Sequence, residues 1–215
     1  YRKAIQIKPD YAEAHYNLGN ILKDIGKLEE AELSVRQAIE IKPDFADAHS
    51  NLGNILRNLG RAKEAELYIR KAIKLNPNLA EYHSNLGNIL KDLGKLKEAG
   101  QSYRKAIELN PNLAEPHSSL GTILQDIGKL EEAESLQRQA IELKSDYADA
   151  YFNLSMIELL KGNYQSGLEN YEFRFKKKKA PNVHAKTTLK RVNNRKLQIG
   201  EKLLVISEQG LGDTL

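Results

Sequence analysis

Residues 49–66 read HSNLGNILRNLGRAKEAE, and close copies stand at 15–32 (HYNLGNILKDIGKLEEAE), 83–100 (HSNLGNILKDLGKLKEAG) and 117–134 (HSSLGTILQDIGKLEEAE). The copies are spaced 34 residues apart. A fixed period of this length marks a stack of like supersecondary units, each too small to bury its own apolar face. Apolar positions recur at i, i+3, i+4 and i+7 on both sides of a central glycine, which is the helical period and not that of a strand. The pattern predicts a chain of short helix pairs.

Numbering a unit from Ala12 makes Ala46, Ala80, Ala114 and Ala148 the next first positions. Gly26, Gly60, Gly94, Gly128 and Gly162 fall in mid-unit, where a residue free to adopt positive φ closes a first helix. The second helix carries Ala31, Ala65, Ala99 and Ala133, then Ala38, Ala72, Ala106 and Ala140, small enough for two backbones to approach closely. Pro43, Pro77 and Pro111 prevent continuation, and Asp10, Asp44, Asn78, Asn112 and Asp146 are candidate N-caps for the unit that follows.

These leucine, glycine, alanine and proline markers resemble the tetratricopeptide repeat over residues 1–175. The resemblance implies an all-α, right-handed superhelical solenoid of antiparallel helix pairs. Residues 1–11 read as the second helix of a truncated repeat, 12–147 as four full repeats and 148–175 as a degenerate fifth. Ser155, Gly167 and Arg174 there replace the glycine, alanine and final alanine of the pattern. His15, His49, His83 and His117 take the place of the expected aromatic, which Tyr151 restores. Copies one repeat apart do not bring two imidazoles onto one metal ion, so these rings are expected to fill space between helices.

In the fold so implied, first helices line the concave face. Positions six and nine, three apart on that face, read Asn17/Asn20, Asn51/Asn54, Asn85/Asn88, Ser119/Thr122 and Asn153/Met156. Asparagine is a poor helix-interior residue, yet it persists while positions 21–24 vary (ELSV, ELYI, GQSY, ESLQ). An amide both donates and accepts, so a row of them suits the backbone of an extended peptide. The expected peptide contacts are Asn17, Asn20, Asn51, Asn54, Asn85, Asn88, Ser119 and Asn153, with Lys23, Arg57 and Lys91 supplying positive charge. Asp24, Asp92 and Asp126 partly offset it. Inherited solvent-facing polarity is the competing account of the same residues. The repeat arm of protein O-linked N-acetylglucosamine transferases is similar in carrying such an asparagine row.

Composition narrows the rest. Residues 1–171 hold 22 Lys and Arg against 25 Asp and Glu, and 172–215 hold 11 against 4. The basic excess belongs to the tail, where Lys176–Lys179 open a linker running to residue 200. No aromatic platform interleaves that linker, which weighs against nucleic acid as a partner. The absence of cysteine excludes disulfide and thiolate chemistry, and no apolar run reaches the ~18 residues of a membrane span. The expectation is a cytoplasmic protein without cofactor that binds a protein or peptide, with self-association through its terminal repeats as a further mode.

Residues 201–215, EKLLVISEQGLGDTL, combine an apolar run over 202–207 with a glycine turn. The run predicts a strand, and the turn could present backbone N–H groups of Gly210 and Gly212 to a phosphate. The passage from GNYQSGLENYEFRF through a basic linker to LLVISEQGLGD resembles the junction of bacterial tetratricopeptide proteins with a heptosyltransferase-like, Rossmann-type glycosyltransferase domain. That resemblance gives Asp213 the role of acceptor-activating base and the array that of a substrate-recruiting arm. The chain as it stands lacks a donor pocket and is read as non-catalytic.

Overall fold

The computed structural model describes residues 1–177. The expected strand at 202–207, the Gly210–Gly212 turn and Asp213 lie outside the described residues. Among the described residues there are eleven α-helices and no strand. Helix α1 (Arg2–Ile7) precedes five consecutive pairs: α2 (Ala12–Asp24) with α3 (Leu28–Ile41), α4 (Ala46–Asn58) with α5 (Ala62–Leu75), α6 (Ala80–Asp92) with α7 (Leu96–Leu109), α8 (Ala114–Asp126) with α9 (Leu130–Leu143), and α10 (Ala148–Leu160) with α11 (Tyr164–Tyr171). Each helix packs on its partner and on the next unit, forming a solenoid.

The first helix of each pair ends at the mid-unit glycine. Gly26, Gly60, Gly94, Gly128 and Gly162 have φ between 73° and 82°. Beyond each, a backbone N–H reaches back five residues, as from Arg61 to the Leu56 carbonyl at 2.8 Å, in the Schellman arrangement. The start is different from expectation. The N-cap residues are Tyr11, Phe45, Leu79, Leu113 and Tyr147, with no side-chain cap bond, one residue after the candidate Asp and Asn caps. An apolar anchor has displaced the polar cap: the Phe45 ring lies 4.9 Å from that of Tyr16 in the preceding unit.

Within a pair, the glycine at position eight sets how closely the helices approach. A Cβ on Gly53 would stand 3.3 Å from the Ala65 carbonyl oxygen, and one on Gly121 3.2 Å from that of Ala133. Position 24 of the second helix fills the space beside that glycine with Val35, Ile69, Tyr103 or Gln137, each fully buried. Its variation is therefore core variation. Gln137 keeps its place by donating from Nε2 to the Ser118 carbonyl at 2.9 Å.

The backbones of successive first helices approach closely, whereas those of successive second helices stand apart and are joined by long side chains. The stack therefore curves toward its first helices, which form the inner face. On the outer face, basic side chains span the wider gaps. Glu66 accepts from Arg70 on its own helix at 2.8 Å and from Lys95 of the next unit at 2.9 Å. Glu32 does the same with Arg36 and Arg61, and Glu134 with Arg138 and Lys161. In the third unit the equivalent residue is Gly100, and the clasp is missing.

The fifth pair closes the described array differently. Arg174, where other units have alanine, cannot fit between close-packed helices, and α11 gives way to a 3₁₀ turn at Glu172–Lys176. The Arg174 guanidinium lies 4.1 Å from the centre of the Tyr171 ring and 3.9 Å from that of Phe175. Phe173 stacks on Tyr151 at 3.8 Å, and Lys177 caps the Phe152 ring at 4.2 Å. Gly167 replaces alanine because Leu159 occupies its neighbourhood: a Cβ there would come within 2.9 Å of that side chain.

Two glycines of this fold should respond oppositely to alanine. At Gly87 a Cβ would meet the buried Tyr103 ring at 2.5–2.8 Å, so Gly87→Ala should destabilise by about 1–3 kcal/mol. At Gly100 the nearest atoms are 3.7 Å away, and Gly100→Ala should stabilise by roughly 0.5–1 kcal/mol through helix propensity. Urea unfolding of the two variants checks both signs.

The outer clasp also sets a pH response. Hydrogen bonds from Lys161 and then Arg138 hold the Glu134 carboxyl below its ordinary value of 4.5, and those from Arg36 and Arg61 do so for Glu64. A carboxyl lowered in the folded state contributes stability above its unfolded pKa and loses it as pH falls through the folded value. The urea midpoint should therefore drop below about pH 4.5, and the Glu64→Gln/Glu134→Gln variant should show a shallower drop from a lower starting point.

Candidate functional site

Alternation along the first helices places positions six and nine toward the inner face, but neighbouring units partly consume the amides there. Asn51 is 6% exposed, and its Oδ1 accepts from Lys23 Nζ of the first unit at 3.1 Å. Its Nδ2 is buried without a partner. Asn85 Nδ2 donates to Ser50 Oγ of the second unit at 3.2 Å. Asn88, 7% exposed, donates to Glu115 Oε1 at 2.8 Å and accepts from the Tyr103 hydroxyl at 2.7 Å. Asn153 donates to Thr122 Oγ1 at 3.2 Å and Ser118 Oγ at 3.4 Å. Ser119 interacts with the Tyr103 hydroxyl.

The charged members are divided too. Arg57 is held by Asp92 of the third unit at 2.5 Å, and Lys23 by Asn51. Lys91 is half-buried and has no hydrogen bond or ion pair among the described residues. The same holds for Asn17, Asn20 and Asn54. The row is thus no uniform line of free amides. Three open amides gather on the first two units, one open lysine follows on the third, and Asn51, Asn85, Asn88 and Asn153 bridge units.

Four of the bridges share an offset that the 34-residue period conceals. Asn85–Ser50, Arg57–Asp92, Asn153–Ser118 and the Tyr82 hydroxyl on Asp47 Oδ1 (2.5 Å) all join residues 35 apart. One unit plus one residue is the offset at which neighbouring first helices face each other. Tyr82 and Glu115 were not evident as participants from sequence. The one available signal was Tyr82 at a position where Ala14, Ala48 and Ala150 stand. Burial, reinforced by the hydrogen bond to Asp47, raises the Tyr82 phenol well above its usual range.

The histidines serve the turns. A ring nitrogen of His15, His49 and His83 bonds the carbonyl of Pro9, Pro43 and Pro77 at 2.8–2.9 Å, and that of His117 bonds the Leu113 carbonyl at 2.8 Å. Each imidazole thus ties a first helix to the loop before it. Among the described residues no group of three or more His, Asp or Glu is placed to hold a metal ion. No described helix is long and apolar enough to cross a membrane.

Family models described as TPR repeat match residues 1–26, 19–60 and 87–128, and others described as tetratricopeptide repeat match 46–79, 68–101 and 118–144. Together they run without a gap from residue 1 to 144. The chain belongs to the tetratricopeptide-repeat proteins. Among solved structures, this repeat protein is similar to YrrB, described as a TPR protein with an unusual peptide-binding site. The two are 28% identical, with a TM-score of 0.61 over 81% of this chain and 90% of YrrB. PilF of Pseudomonas aeruginosa is 23% identical, with a TM-score of 0.70 over 75% of this chain and 74% of its own. MamA of Desulfovibrio magneticus RS-1 is 20% identical, with a TM-score of 0.64 over 75% and 91%. The last two share the fold. No curated protein matches the chain.

The amides in this tetratricopeptide array should separate on mutation. Asn88→Ala removes the acceptor of the buried Tyr103 hydroxyl and should destabilise by about 1–3 kcal/mol. Asn54→Ala removes no bond and should be neutral or stabilising by a few tenths of a kcal/mol. Chemical denaturation followed by circular dichroism distinguishes them.

Proposed function

We propose that the array is a protein-interaction scaffold whose inner face holds an extended polypeptide across its first three units. The observation that carries this reading is the set of polar groups left open there: the amides of Asn17, Asn20 and Asn54, and the ammonium of Lys91. The likeness to YrrB, a protein described by its peptide-binding site, supports it. Each free amide can donate to a peptide carbonyl and accept from a peptide N–H, which recognises backbone more than side chains. Lys91 would favour an acidic residue or terminal carboxylate at one end of the bound segment.

The bridging residues have a different part in this reading. Asn85, Asn88 and Asn153, with Arg57 and Asp92, hold the spacing of first helices, so the open groups keep a fixed separation. A preorganised groove loses less conformational freedom on binding than a pliable one. Lys23 occupies the Asn51 carbonyl, and an anionic group on the peptide would draw it away, adding Asn51 to the contact set.

A second reading, the recruiting arm of a sugar-nucleotide-dependent glycosyltransferase, rests on the sequence of residues 201–215. Those residues lie outside the described ones, and the matching family models are all of tetratricopeptide repeats. The interaction scaffold is the better supported of the two.

The test is selection of ligands for the purified chain from a random 12-residue peptide library, followed by titration of synthetic hits. Asn20→Ala/Asn54→Ala should retain helicity and bind roughly tenfold or more weakly, as expected for loss of two hydrogen bonds. Affinity equal to that of the parent chain would refute the groove.

A further inference from the structure

The outer face carries a second site, at the junction of the third and fourth units. A cleft of about 480 Å³ opens there between α7 and α9, floored by Leu120 and Leu124 of α8 and walled by Leu136 and Arg104. It is open to solvent, so it suits a segment lying across the surface and not an enclosed small ligand. The cleft coincides with the one place where the outer clasp is broken.

The other units show what is missing. Glu66 is bridged between Arg70, four residues on, and Lys95 of the next unit, at 2.8 and 2.9 Å. Glu32 stands likewise between Arg36 and Arg61. The residues in register at the third junction are Gly100, Arg104 and Lys129. The two cations are present and the carboxylate between them is not. Arg104 is exposed and has no ion pair among the described residues, although its counterparts Arg36, Arg70 and Arg138 each have two. Lys129 has turned to Glu132 on its own helix at 2.8 Å. Glu131, also at the rim, faces Lys161 at 4.0 Å. Of the charged groups lining the cleft, Glu132 is paired with Lys129 and Glu131 reaches Lys161, so Arg104 is the one left without an ion pair among the described residues, and it lies beside an apolar floor.

We propose that this cleft binds a partner segment bearing an aspartate or glutamate next to a leucine-sized side chain. The carboxylate takes the place that Glu66 occupies one unit earlier, pairing with Arg104 and drawing Lys129 across the junction. The aliphatic neighbour covers Leu120, Leu124 and Leu136. Arginine suits this role because its planar fork can hold a carboxylate through two parallel bonds. The site is separate from the inner groove and does not depend on it.

A glycine-to-glutamate exchange supplies a test that does not threaten folding. A Cβ at Gly100 would have only Arg104 Nη1 and Leu120 Cδ1 within reach, both at 3.7 Å. Gly100→Glu should restore the clasp, raise the urea midpoint and close the cleft with the chain's own carboxylate. The probe is acetyl-Leu-Glu-Leu-amide, with its glutamine counterpart as control, titrated into the methyl-labelled chain and followed by NMR. The glutamate peptide should shift the Leu120, Leu124 and Leu136 methyls. The glutamine peptide should bind about two- to fivefold more weakly, the loss of one partly exposed ion pair, and Gly100→Glu and Arg104→Ala should each abolish the glutamate peptide's advantage. Equal titration by both peptides, an advantage that survives Gly100→Glu, or no shift from either peptide would overturn the proposal. Methyl shifts that grow with protein concentration alone, matched by a dimer in sedimentation, would assign the cleft to a second copy and overturn it equally.

Discussion

Everything in this molecule rests on how near two helix backbones can come. Position eight of each full unit is glycine, and position 20 opposite it is alanine, so that the two main chains meet at a separation no larger pair would allow. That contact fixes the angle of the hairpin, and 34-residue repetition then stacks hairpins in one register. Buried apolar side chains fill the remaining space, from Leu52, Ile55 and Leu56 in the second unit to Ile89 and Leu90 in the third. The hydrophobic effect drives the association, but it is non-directional. Glycine opposite alanine is what makes it specific.

Curvature adds a division of labour. Where first helices approach one another, short polar side chains suffice to join them: an asparagine to a serine, a tyrosine to an aspartate. Where second helices diverge, only long side chains reach, and arginine, lysine and glutamate take over. The outer face therefore relies on ion pairs, whereas the inner face mixes neutral bridges with the Arg57–Asp92 pair and the Lys23–Asn51 bond. Outer pairs are partly exposed and individually weak. The inner bridges at Asn51 and Asn88 are nearly buried, and losing a partner there leaves a polar group without water.

The repeat, the helix pairs and the left-handed glycines were all legible in the sequence, because each is a local or periodic property. The expected N-caps differ from the observed ones because the aspartates and asparagines sit two residues before the first helical residue, and the cap position between is taken by Phe45 and its equivalents. The amide row was visible as a pattern, but not how its members divide. Whether an asparagine faces a peptide or a neighbouring helix depends on inter-unit pairings at offsets such as 27, 28 and 35, which a period of 34 does not disclose. Gly100 was plain in the sequence as a departure. Its meaning required the clasp to be seen in the other units.

The uneven fastening of the junctions bears on how the solenoid deforms. Between the second and third units, three inner bridges and two outer ion pairs oppose any change in tilt. Between the third and fourth, the outer side has no ion pair among the described residues and the inner side has Asn88 on Glu115 and Ser119 beside the Tyr103 hydroxyl. Thermal bending of a stacked array concentrates at its least constrained joint, so the first three units behave as one stiff body and the last two as another. A change of pitch at this single joint alters the direction in which the C-terminal units present whatever follows them, while the amides of the N-terminal units stay in place.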